Sequence, residues 1–117
     1  MYLVKRSIAI IRPKKLFLNW LNGMPDLDFE LSLADIRVDC TVIMIPEVHE
    51  AEEGIAYIDE LAPTLFEMEL ASWVSDEAIW PKNRTLKMFW EWFEVEIHRE
   101  VIDSVKEEIV NSHHELH

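Results

Sequence analysis

The stretch Glu94-Val95-Glu96-Ile97-His98-Arg99-Glu100-Val101 decides the fold. Its acids and histidine alternate with Val95, Ile97, Arg99 and Val101 at a period of two, the pattern of a half-buried strand. A helix over 85–110 competes, because Phe93, Ile97, Val101, Val105 and Ile109 recur every four positions with no Gly or Pro between them. The strand is preferred, since two other segments read as strands and a third completes a small sheet on which helices can pack.

Those two segments are Ser7 to Arg12, short, β-branched and apolar, and Cys40 to Ile45, ended by Pro46. Pro13 suits the first position of a helix that carries Leu16, Phe17, Trp20 and Leu21 on one face and stops at Gly23 and Pro25. Asp26 to Leu33 alternates polar with apolar, as an extended edge would, yet Ser32 and Asp35 have the spacing of a helix cap and predict a helical turn over 33–37. From Glu50 to Val74 one apolar stripe holds Ile55, Ile58 and Leu61 and a second holds Leu65, Phe66, Leu70 and Trp73. Pro63 stands between them and predicts two helices. Ser75 caps a short turn that ends at Trp80 and Pro81, and Thr85 caps a helix carrying Leu86, Phe89, Trp90 and Phe93. The result is an α+β sandwich: a small sheet of about three strands packed with several helices, one domain over 1–110, then a flexible His-containing tail over 111–117.

Composition bounds the function. A chain of 117 residues, half of them hydrophobic, buries roughly two-thirds of its extended surface and needs no disulfide or structural metal to hold a core. Its formal charge of -12 argues against direct nucleic-acid binding, which needs clustered Lys and Arg. The lone Cys40 forms no internal disulfide and suits a reducing cytoplasm. Arg12, Pro13, Lys14 and Lys15 close the apolar run at Ile8 to Ile11 too early for a signal peptide, and no window reaches the roughly eighteen apolar residues of a membrane span. With Gly23 and Gly54 the only glycines, neither a phosphate loop nor a dinucleotide fingerprint is present, and no cofactor is expected. The charge is also divided: the first 22 residues carry five basic side chains and no acid, and the remaining 95 carry a net -17. The basic segment either sits against acidic elements of its own fold or forms a positive patch on a negative body.

Few residue sets point to chemistry. Asp26, Asp28 and Glu30 open like a calcium loop, but Leu31 and Arg37 occupy the positions that need Gly and a carboxylate. His113, His114 and His117 are weak metal candidates, with Glu115 misplaced for a zinc-protease pattern. Cys40 with His49 or His98 as base and Asp103 as orienter is the arrangement a thiol nucleophile would need, though a cysteine at the head of an apolar strand reads first as a small hydrophobe. Glu96 and His98, joined by Asp103, form the best catalytic or metal-holding cluster, while their alternation reads first as a solvent face. Among the five tryptophans, Trp73 and Trp90 read as core, and Trp80 and Trp92 as contributors to a pocket or interface.

Leu70, Ala71, Ser72, Trp73, Asp76, Trp80, Pro81, Leu86, Phe89, Trp92, Phe93, His98 and Asp103, with Arg12, Pro13, Phe17 and Trp20, give the chain a resemblance to a family of small acidic bacterial proteins of unknown function. That resemblance implies a bacterial cytoplasmic protein and supplies no activity. The leading expectation is a non-enzymatic interaction or regulatory module that engages a basic protein partner through acids such as Glu60 and Glu67 and the anchors Trp80 and Trp92. The alternative is a small metal-dependent protein or enzyme using Glu96, His98 and Asp103. A homo-oligomer joined by exposed aromatics is the third possibility.

Overall fold

The computed structural model describes residues 1–25 and 28–112. It holds five strands and four helices: β1 (Tyr2–Val4), β2 (Arg6–Pro13), α1 (Lys15–Asn22), α2 (Leu33–Ile36), β3 (Thr41–Pro46), α3 (Ala51–Trp73), α4 (Leu86–Trp92), β4 (Phe93–His98) and β5 (Val101–Asp103). β2 is the middle of an antiparallel sheet of order β3-β2-β4, and β1 pairs with β5 in a separate two-stranded ribbon. The period of two prevails in 93–98 because β4 pairs with β2 along its whole length, which sets alternate residues on the covered face: Ile97 beside Ala9, Val95 beside Ile11 and Phe93 beside Pro13. The α+β single-domain architecture stands as read. The single strand read over Glu94 to Val101 is divided: β4 opens at Phe93, which was read on the preceding helix, and ends at His98, while Val101-Ile102-Asp103 turns away to pair with Tyr2-Leu3-Val4, a strand the sequence did not show.

One face of the sheet is covered by helices. Ala9, Ile11, Ile45 and Phe93 meet Phe17 and Leu21 of α1, Ile58, Ala62, Leu65, Phe66 and Leu70 of α3, and Phe89 of α4. The centre is aromatic: the Phe66 ring lies 5.4 Å from Phe93, 5.6 Å from Trp92 and 6.1 Å from Phe89, in tilted or edge-on pairs of the kind that quadrupoles favour. α3 lies close against the sheet at Gly54, where a Cβ would stand 2.9 Å from Ile97 Cγ2.

Four local expectations are corrected. α3 is one helix of 23 residues with Pro63 inside it. Its buried residues, Gly54, Ile58, Ala62, Leu65, Phe66, Glu69 and Leu70, keep a single face through the proline, which itself lies on the exposed side; packing outweighs the lost hydrogen bond. Pro13 ends β2 instead of opening α1, whose N-cap is Lys14; the Lys14 amide donates to the Trp92 carbonyl at 2.8 Å and so belongs to the sheet end. Asp76, not Ser75, caps the short 3-10 turn at Glu77–Ile79, its carboxylate accepting from the Ala78 amide. Trp73 is 43% exposed instead of core. The Ser32–Asp35 capping box and the Thr85 cap are present.

Ser7 ties the ribbon end of the molecule together. It is fully buried, its hydroxyl donates to the Arg99 carbonyl at 3.0 Å and accepts from the Val48 amide at 3.0 Å. Ser7→Ala strands a buried N–H on the loop after β3, so a loss of about 1–3 kcal/mol is expected. Urea denaturation measures it, and an unchanged midpoint would mean that Val48 finds another acceptor.

Candidate functional site

The alternation that buries one face of the sheet turns Arg6, Ile8, Ile10 and Arg12 of β2 to the other. The register places Met44, Ile8 and His98 in one row across the three strands, and Val42, Ile10 and Glu96 in the next. Val42 is 56% and Met44 48% exposed, and Ile8 and Ile10 are half-buried. The open face is therefore graded, from an apolar row on β3 through a mixed β2 to the acidic row Glu94, Glu96 and His98 on β4. Antiparallel sheets with one uncovered face ordinarily alternate apolar-in with polar-out; β3 departs from that pattern along its length, and it is also an edge strand.

The polar row is internally satisfied. Arg12 Nη1 donates to Glu96 Oε1 at 3.0 Å, and His98 Nε2 donates to the other oxygen, Oε2. His98 chiefly, with help from Arg12, holds the Glu96 carboxyl below its ordinary value. Arg37 Nη2 lies 3.5 Å from Glu94 Oε1. Part of the basic amino-terminal segment thus sits against acids of its own fold: Arg12 on Glu96, with Lys14 Nζ donating to the Trp90 carbonyl.

The structure separates other residues that the sequence grouped. Asp103 lies on the ribbon, where its carboxylate accepts from the Val105 amide, while Glu96 and His98 lie on the three-stranded sheet. Among the described residues no group of three His, Cys, Asp or Glu side chains converges to hold a metal. Cys40 precedes β3 and donates its S–H to the Arg37 carbonyl, whereas His49 follows the far end of that strand. A six-residue strand separates them by about 20 Å, so the thiol–imidazole arrangement is not assembled. His49 instead joins His98, Glu47, Arg99 and Glu100 around an open cleft of ≈ 590 Å³ beside the ribbon. Asp26, His113, His114 and His117 lie outside the described residues.

The tryptophan and acid candidates divide. Trp80 is 4% exposed and donates its indole N–H to the Val74 carbonyl at 2.7 Å, a core residue in this structure rather than a surface anchor. Trp92 is half-buried against Phe17, Trp20 and Phe66. Trp90 is half-buried and donates to Asp59 Oδ1 at 2.7 Å. Glu67 accepts from Arg84 at 2.9 Å, and Glu60 is exposed on α3.

Sequence reasoning passed over Glu69. It is only 7% exposed, and it stands in step with Ile58, Ala62 and Leu65 on the buried face of α3; a carboxylate in an apolar stripe was the available signal. Burial pushes its carboxyl above the ordinary value of 4.5, and the Thr41 hydroxyl opposes that by a smaller amount. Folding therefore favours the neutral form. That contribution is complete below the ordinary value and is lost as pH rises through the raised one. Against Glu69→Gln, the wild-type protein is expected to lose relative stability as pH rises from about 4 towards neutrality. Urea midpoints of the two proteins across that range check it, and a gap independent of pH would contradict the burial.

No protein-family model, curated protein or solved structure matches this chain. No helix among the described residues is long and apolar enough to cross a membrane.

Proposed function

We propose that this protein is a non-enzymatic interaction module that docks a basic protein partner on the open face of the β3-β2-β4 sheet. The observation that carries this reading is the uncovered apolar patch of Ile8, Ile10, Val42 and Met44 beside the Arg12–Glu96–His98 row. An apolar centre next to a satisfied polar rim is the anatomy of a protein interface. The net charge of -12 steers a basic partner from a distance, whereas the apolar contact holds it once docked. This replaces the tryptophan anchors by aliphatic ones and leaves Glu60 a role in steering. The cytoplasmic and bacterial setting belongs to the same proposal.

The test is capture from a native bacterial lysate by wild-type protein and by the double variant Val42→Thr, Met44→Gln, whose side chains face solvent and whose replacement leaves the core untouched. A basic protein held by the wild type, released as salt rises and bound roughly tenfold or more weakly by the variant, is the expected result. Equal, salt-insensitive retention by both baits would overturn the assignment of this face.

A further inference from the structure

At the opposite end of β3 from the ribbon, the last turn of α3 and the residues leading into the strand enclose a recess. Its outer part is an open cleft of ≈ 470 Å³ lined by Asp39, Cys40, Thr41, Ser72 and Trp73. A hollow of ≈ 20 Å³ shares Asp39, Cys40, Thr41 and Trp73 with the cleft and adds Glu69 and five apolar side chains. Three observations define what could enter. The recess is lined by two carboxyl groups and no Lys, Arg or His. Glu69 is more than nine-tenths buried and no basic side chain forms an ion pair with it among the described residues. The hollow has room for about one water-sized group, which an ammonium head matches and a planar guanidinium exceeds.

We propose that this recess binds a primary alkylammonium group, its –NH3+ head in the hollow against Glu69 and Thr41 and its methylene stem along Trp73. An ammonium brings donors to the Glu69 carboxyl and to the Thr41 hydroxyl that hydrogen-bonds it, with Asp39 also on the lining, and the half-exposed indole offers apolar contact to the stem. The incoming cation supplies the counter-charge that burial denies the Glu69 carboxylate. The titratable neighbours that face Glu69 are Asp39 and Cys40; β2, α1, α2 and β4 contribute only apolar side chains to the wall of the hollow. The group can belong to a free small amine or to a lysine side chain. This site is separate from the docking face and does not depend on it.

The experiment is an amide and indole NMR titration of the full chain with n-butylammonium chloride at constant ionic strength, with tetramethylammonium as control. Saturable shifts at the Trp73 indole and the Thr41 amide, absent with the bulkier ion, are expected. Glu69→Gln should weaken binding roughly tenfold by removing the charge-assisted hydrogen bond, and Trp73→Leu, at an exposed position, should weaken it with the fold intact. The double variant on the sheet face should bind as the wild type does, which keeps the two proposals apart. A blocked lysine tripeptide run in parallel identifies the source: tighter than butylammonium for a protein lysine, equal or weaker for a free amine. Shifts that do not saturate, that spread equally over Glu52, Glu53 and Glu60, or that survive both single variants unchanged would overturn the site.

Discussion

Phe66→Ala is expected to lower the free energy of unfolding by about 3–5 kcal/mol. The ring is fully buried and meets Phe89, Trp92 and Phe93, so its removal leaves a void bounded by other rigid rings that collapse poorly. A domain of this size has only about 5–15 kcal/mol in total, and the variant should be largely unfolded in mild urea. Chemical denaturation followed by tryptophan fluorescence measures the loss, since Trp92 reports directly on the cluster. A cost below about 1 kcal/mol would mean that the ring is not enclosed as described.

The second large effect has the opposite sign. Pro63 occupies the interior of α3, where it donates no hydrogen bond to the Asp59 carbonyl, and its own side chain lies on the exposed surface. Pro63→Ala is therefore expected to stabilise the protein by up to about 3 kcal/mol, the difference in helix propensity between the two residues. The neighbouring groups argue for a smaller gain than the full difference: Asp59 is tied to Trp90, and Pro63 lines a pocket with Phe66 and Arg84. A rise in the urea midpoint with unchanged slope is the expected result. A fall would show that the continuous packing of α3 on the sheet depends on the proline.

These two residues mark the limits of local reading. Pro63 is a helix breaker by its own chemistry, and the two apolar stripes on either side were visible, yet their continuity was not. Only the sheet, by presenting one surface to Ile58 and to Phe66 alike, makes a continuous helix the better arrangement. Trp73 and Trp80 exchange their expected places for the same reason: a tryptophan is large enough for a core and polar enough for a rim. Trp80 goes inside because the Val74 carbonyl meets its indole; Trp73 stays at the mouth of a recess.

The candidate sites were legible to a lesser degree. Ile8, Ile10, Val42 and Met44 are plain in the sequence, but strands apolar on both faces read as buried on both. That the helices cover one side and leave the other open is a fact of topology. Glu96 and His98 were found together because a period of two keeps them on one face, while Asp103 was grouped with them by nearness in the chain and lies on a different sheet.

By itself, the sequence determined what depends on neighbours a few residues apart: a strand beginning near Glu94 from its alternation, though not its end at His98, the capping box of Ser32 and Asp35, the cap at Thr85, and an α+β domain of strong negative charge. Tertiary structure alone decided what depends on residues far apart in the chain. It paired Tyr2–Val4 with Val101–Asp103, carried α3 through Pro63, left one sheet face uncovered and buried Glu69 beside Thr41. The physical reason is that periodicity and capping act over one or two turns of chain, whereas burial is set by which surfaces finally meet, and no local pattern encodes which of two apolar faces will find a partner.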